Sequence, residues 1–154
     1  MTMSKNVLIV CCGLPASGKS TYAELLAESD VFHRVCPDLI RKDLYGDENI
    51  QGDGKKVFAI AHESIKNYGE IKRNVVFDAT NIDRRTRKSL VEKMRPYFDV
   101  IICKWFSTPL ELCLERNQAR ERQVPLKVLW DMSDRFRPPM IEEGFDYVEE
   151  IKNY

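Results

Sequence analysis

The sequence predicts an α/β fold in which five parallel strands form one sheet with helices on both faces. Three observations carry that expectation. Five short, mainly apolar runs recur along the 154 residues. Segments with helical spacing or helix-start signals separate them. The first run opens directly into Gly13-Leu14-Pro15-Ala16-Ser17-Gly18-Lys19-Ser20, a glycine-rich turn that leads into a helix.

Residues 7–12, all apolar, read as a buried strand, with the adjacent Cys11 and Cys12 facing opposite sides of the sheet. A helix follows over 18–29. A short second strand over 33–36 leads into a helix or helical turn over 38–45. Residues 46–54 form a polar loop holding three glycines. The stretch 55–73 is an amphipathic helix with Val57, Ile60, Ala61, Ile65 and Tyr68 on one side. Residues 74–77 are the third strand. A helix over 83–94 takes Asp83 as its cap, and Pro96 ends it. Residues 100–106 are the fourth strand. Pro109 opens a helix running to about Arg120. Another follows Pro125 over 126–136 until Pro138-Pro139 stops it, and 145–151 form the fifth strand. Parallel strands place their C-terminal ends on one edge, where ligands bind.

Composition places no second domain, repeat or linker in the chain, so residues 1–154 are expected to form one domain. Apolar residues make up 44% and charged residues 31%, which is ordinary for a soluble protein. No apolar stretch approaches the roughly 20 residues of a membrane span, and no cleavage-site pattern follows Lys5. The five cysteines form no metal-binding spacing and read as reduced core residues of a cytoplasmic protein. The formal net charge is zero, which argues against broad, charge-driven duplex binding. The basic run Arg84, Arg85, Arg87, Lys88, Lys93 and Arg95 reads mainly as a solvated helical face.

Gly13, Gly18, Lys19 and Ser20 fit the phosphate-binding pattern GxxxxGK[ST] at every fixed position, and Thr21 follows. Strand, glycine-rich turn and helix together predict a P-loop NTPase fold. Backbone amides along such a turn reach phosphate oxygens, and the helix N-terminus favours the anion. Gly13, Ala16, Ser17, Gly18, Lys19, Ser20 and Thr21 are therefore expected to bind ATP or another NTP. Lys19 is expected at the β and γ phosphates, and Ser20 at Mg²⁺. The Asn/Thr-Lys-x-Asp guanine signature is absent, and the length leaves no room for motor or transporter domains, so the loop points to a kinase.

Three further clusters agree with that. In Cys36-Pro37-Asp38-Leu39-Ile40-Arg41, Asp38 and Arg41 are three apart at a helix start and share a face. A carboxylate there can take the proton of an acceptor hydroxyl, and the arginine can hold a substrate phosphate. The bland reading is Asp38 as a helix cap. Asp78, after the third strand, resembles a Walker B acid, placed to hold Mg²⁺ through water or to orient Arg41 or the substrate. Thr80 and Asn81 are candidates for acceptor contact, Asn81 alternatively for a turn. Arg116 and Arg120 are four apart before Val124-Pro125 and form an arginine-bearing lid, Arg120 toward the β and γ phosphates and Arg116 toward adenine. Arg122 reads alternatively as a surface residue paired with an acid.

Gly13 to Thr21, Asp38-Leu39-Ile40-Arg41, Asp78-Ala79-Thr80-Asn81 and Arg116-Asn117 with Arg120 and Val124-Pro125 together resemble the kinase module of the polynucleotide 5′-hydroxyl kinases, the nucleic-acid end-repair enzymes of phage and bacteria. The resemblance implies a 5′-OH end of RNA or DNA as acceptor, ATP or another NTP as donor, and Mg²⁺. It implies Asp38 as general base, Arg41 on an acceptor phosphate and Arg120 on the ATP phosphates. Lys19, Asp38 and Arg120 are then the catalytic set, and Asp38, Arg41, Asp78, Thr80 and Asn81 the acceptor side. Many members fuse this module to a phosphatase or ligase; this sequence shows neither, and whether a separate phosphatase or ligase partner works with it is left open. A kinase of a small hydroxyl compound and a non-catalytic nucleotide-binding module are the competing readings.

Overall fold

The computed structural model describes residues 5–50 and 52–154. Strands β1 (Val7–Cys12), β2 (Phe32–Val35), β3 (Asn74–Phe77), β4 (Val100–Phe106) and β5 (Tyr147–Ile151) alternate with helices α1 (Lys19–Glu28), α2 (Pro37–Tyr45), α3 (Gly54–Glu70), α4 (Arg84–Met94), α5 (Leu110–Ala119) and α6 (Leu126–Arg135). Two 3₁₀ turns lie at Arg95–Tyr97 and Ile141–Glu143. The strands form one five-stranded sheet in the order β2-β3-β1-β4-β5, and every neighbouring pair is parallel. The expected α/β architecture, a parallel sheet flanked by helices, is the observed one.

Alternation of side chains along β1 divides the core. Leu8, Val10 and Cys12 face a cluster with Ile65 of α3 and Leu90 of α4. Ile9 and Cys11 face the other side, against Ala23 of α1. Each fully buried aliphatic side chain contributes roughly 1.5–3 kcal/mol. A third, smaller cluster of Leu14, Cys113 and Leu129 roots the α5–α6 lid on the loop that follows β1. All five cysteines are buried and free.

Several element ends differ from the sequence expectation by one to three residues, three of them for an identifiable reason. Cys36 leaves the sheet to cap α2, so β2 ends at Val35 and Pro37 takes the first helical position, where a missing N–H costs nothing. Helix α3 stops at Glu70 because Lys72 turns left-handed (φ 59°), and the N–H of Arg73 donates to the Tyr68 carbonyl (2.9 Å). β5 begins only at Tyr147; Phe145 is a core residue held before the strand by the left-handed Gly144. Asp83 caps α4 as expected, accepting from the N–H of Arg85 at 2.9 Å.

Parallel pairing gathers the loops after β1, β2 and β3 on one edge. Gly13 donates its N–H to the Thr80 carbonyl (2.9 Å), and Asp78 donates its N–H to the Val35 carbonyl (2.8 Å). These two bonds lock the three loops to one another.

Candidate active site

The turn after β1 is shaped to receive an anion. Ala16 (φ 65°) and Gly18 (φ 106°) are both left-handed, which turns successive amides toward one concavity. A Cβ at Gly13 would meet Ser17 Oγ at 2.8 Å and the Phe106 carbonyl at 2.9 Å, so only glycine allows the loop to close on β4. No side chain caps the α1 N-terminus, so its first amides remain for a ligand. Lys19 is buried, and its Nζ donates to the Leu14 carbonyl (2.6 Å) and Ser17 Oγ (3.4 Å). Burial lowers its pKa, and the charge of Asp78 opposes this only in part. An incoming phosphate would supply the missing counter-charge.

Beside the loop lies a cleft of about 530 Å³. Lys19, Ser20 and Thr21 form one wall, Arg116 and Arg120 another, and Tyr22, Phe106 and Ile151 give it an apolar flank. The structure thus brings the expected phosphate-loop residues and the two lid arginines to one cavity. The Nε of Arg120 is buried and has no hydrogen-bond partner among the described residues. Burial, then the neighbouring Arg122, push its guanidinium below the ordinary arginine value. An anion in the cleft relieves both costs. Arg116 donates to the carbonyl of Asn153 (3.0 Å).

Asp38 occupies the first turn of α2 and is not its cap. Oδ1 accepts from Arg41 (2.7 Å), and Oδ2 accepts from Arg122 of the lid (3.2 Å). The carboxylate is 40% exposed, so an acceptor hydroxyl can reach it. The Nε of Arg41 is buried and unpartnered among the described residues. Arg122 also forms an ion pair with Glu48 (3.0 Å) and donates its Nε–H to Asn49 (3.1 Å) in the loop after α2, which ties the lid across the acceptor side. Arg122 is the acid-paired residue the sequence allowed, but its acids are Asp38 and Glu48.

Other expected contacts are redirected. Asp78 does not orient Arg41: it is bound by Arg34, whose Nε and NH2 both reach its Oδ2 (3.0 and 2.6 Å). Arg34 arrives from the neighbouring edge strand, whereas Arg41 points down α2 toward Asp38. Asn81 does not offer its amide to an acceptor. The residue is buried and left-handed (φ 45°), and its Nδ2 donates to the Cys11 carbonyl at 2.7 Å, so its role is the turn. Thr80 is half-buried at the same turn. Arg87 is not on a solvated face: it is completely buried, pairs with Glu143 (2.6 Å) and donates to the Asn81 carbonyl (2.7 Å). Asn117 is also structural, exchanging two hydrogen bonds with the backbone of Val124 (2.8 and 2.9 Å) to close the lid turn. Arg34, Glu143 and Asn153 carry no motif; only a partner far along the chain reveals them.

Among known families, the AAA domain matches residues 8–139 of this chain. The bifunctional polynucleotide phosphatase/kinase of Schizosaccharomyces pombe is 28% identical over 149 residues, 94% of this chain and 33% of that protein. The L-seryl-tRNA(Sec) kinase of Methanococcus maripaludis is 28% identical over 151 residues, 91% of this chain and 56% of that protein. The chain therefore spans between a third and just over half of the length of these two relatives. A chain in the solved Pnkp1/Rnl/Hen1 RNA repair complex superposes with a TM-score of 0.76 at 23% identity, covering 87% of this chain and 45% of that one. The chain shares its fold with that part of the complex.

Proposed function

We propose that this chain, which belongs to the AAA domain family, transfers the γ-phosphate of ATP to the 5′-hydroxyl end of RNA or DNA. One observation carries the reading: Arg41 holds the carboxylate of Asp38 (2.7 Å), and Arg41 on the acceptor side and Arg120 by the nucleotide cleft each keep a buried Nε with no hydrogen-bond partner among the described residues. The likeness to the bifunctional polynucleotide phosphatase/kinase supports the nucleic-acid acceptor.

In this mechanism the amides around Ala16 to Ser20 and the ammonium of Lys19 hold the donor phosphates. Among the described residues no three His, Cys, Asp or Glu side chains form a metal site, so Ser20 would hold Mg²⁺ together with the phosphates themselves. The ion supplies charge compensation on the phosphates. Asp38 orients the acceptor hydroxyl and takes its proton as the new oxygen–phosphorus bond forms and the bond between the γ-phosphorus and the bridging oxygen breaks, releasing ADP. Arg120 stabilises charge on the moving phosphoryl group, and the lid excludes water. Arg41 holds an acceptor phosphate by its free Nε edge.

The test is incubation with Mg²⁺, γ-labelled ATP and matched 5′-OH and 5′-phosphate oligonucleotides of RNA and DNA. Label on 5′-OH ends alone is the expected result. Label on nucleosides or other small hydroxyl compounds, with none on oligonucleotides, would replace the acceptor. ATP binding with transfer to nothing would leave a nucleotide-binding module.

A further inference from the structure

We infer that Asn153 is a positioning residue for the donor nucleotide, anchoring the phosphate loop and the lid arginine Arg116 to each other across the cleft. The inference rests on reading that cleft as the donor site and is independent of the acceptor.

Asn153 lies two residues beyond β5, whose last paired residue on β4 is Ile151, opposite Phe106. Its Nδ2 donates to the carbonyl of Ser17 in the phosphate loop at 3.1 Å. Its Oδ1 accepts from the hydroxyl of Thr108 at 2.9 Å. The same hydroxyl lies 3.0 Å from the Ser17 carbonyl and donates to one of the two oxygens at a time. Arg116 donates to the backbone carbonyl of Asn153 at 3.0 Å. Ser17 and Thr108 are both buried, so a carbonyl inside the loop is satisfied by side chains 91 and 136 residues further along the chain.

Peptide geometry gives that anchor its consequence. The peptide unit is planar and trans, so the Ser17 C=O and the Gly18 N–H point in opposite directions. Holding the carbonyl toward Asn153 and Thr108 turns the Gly18 N–H the other way. That amide belongs to the loop proposed to hold the donor phosphates. The side-chain amide of Asn153 also lies against Gly18 so closely that a Cβ there would collide with it. The left-handed φ of 106° calls for glycine at Gly18, and a side chain there would have to displace the Asn153 amide. One residue therefore presets a loop amide and a lid cation before the nucleotide arrives, which removes part of the ordering cost of binding.

The test is titration of Mg·ADP and Mg·ATP into the wild-type protein, Asn153→Ala, Asn153→Asp, Thr108→Val and the Asn153→Ala/Thr108→Val double variant, with ligand-free melting temperatures recorded. Asn153→Ala is expected to raise Kd about five- to tenfold with an unchanged melting temperature, the scale of one lost positioning hydrogen bond. Asn153→Asp keeps the acceptor for Thr108 but cannot donate to Ser17, and is expected to be at least as weak as Asn153→Ala. The double variant is expected to lose more than the product of the two single losses, because in each single variant the remaining side chain still donates to the Ser17 carbonyl. Affinities within twofold of wild type in Asn153→Ala, or losses that no more than multiply in the double variant, overturn the inference. A wild-type protein that binds neither nucleotide overturns the donor-site reading as well.

Discussion

Burial separates the cations of this protein into two kinds. Arg87 is buried against Glu143 and backbone carbonyls, so its charge is fully answered within the fold. Lys19 is buried and Arg120 half-buried, neither with a carboxylate partner among the described residues, and desolvation lowers the pKa of both. Charge held in that unfavourable state next to a cleft marks a site awaiting an anion. Arg87→Ala would strand the Glu143 carboxylate, at a cost of about 3–5 kcal/mol. A thermal melt should then fall by roughly 10 °C, and a midpoint within about 2 °C of wild type would show that the pair is dispensable. Arg120→Ala should do the reverse: it should lower phosphoryl transfer about 10³-fold and leave the melt unchanged. Transfer within tenfold of wild type would remove Arg120 from the catalytic set. Sequence could list these arginines but not sort them, because neighbours in the chain say nothing about which acid lies across the core.

The lid is where elements communicate. Between the end of α5 and the start of α6, the chain carries Arg120 toward the nucleotide cleft and Arg122 toward Asp38, while Asn117 fastens the turn to Val124. Arg122 occupies one oxygen of the proposed base when no acceptor is present. Its ion pairs are partly exposed, so they are worth only about 0–1 kcal/mol each. Arg122→Ala should therefore move the melting temperature by no more than about 2–4 °C. Acceptor-free ATP hydrolysis should rise several-fold, because water gains access to the freed carboxylate. An unchanged hydrolysis rate would mean that Asp38 is not gated from the lid. At this scale several boundaries were legible: Asp83 and Pro109 announce helix starts through local chemistry. The early end of α3 was not, because Lys72 adopts a left-handed turn that a lysine does not advertise.

Across the whole molecule, His62 on α3 is half-buried against Phe77, and burial, with a smaller effect from Lys93, lowers its pKa below the ordinary 6.5. The unfolded chain then binds a proton before the folded one does, so stability is lost as pH falls below about 6.5 and levels off once the folded-state pKa is passed. Urea midpoints should therefore drop between pH 7.5 and 5.5 in the wild type, and His62→Gln should flatten that slope. An equal slope in both proteins would assign it elsewhere. The parallel sheet, the phosphate loop and the common face of Asp38 and Arg41 follow from the sequence by itself, because each depends on spacing within a few residues or on a repeating apolar pattern. Tertiary structure alone decided that Asp78 answers Arg34, that Asn81 serves the turn, that Arg87 locks onto Glu143, and that Asn153 closes on Ser17. Those partners lie between 44 and 136 residues apart, and only the strand order β2-β3-β1-β4-β5 and the lid's return over the sheet edge bring them within hydrogen-bond distance. Local sequence sets which groups are available, and burial with its demand for satisfied charge sets which of them meet.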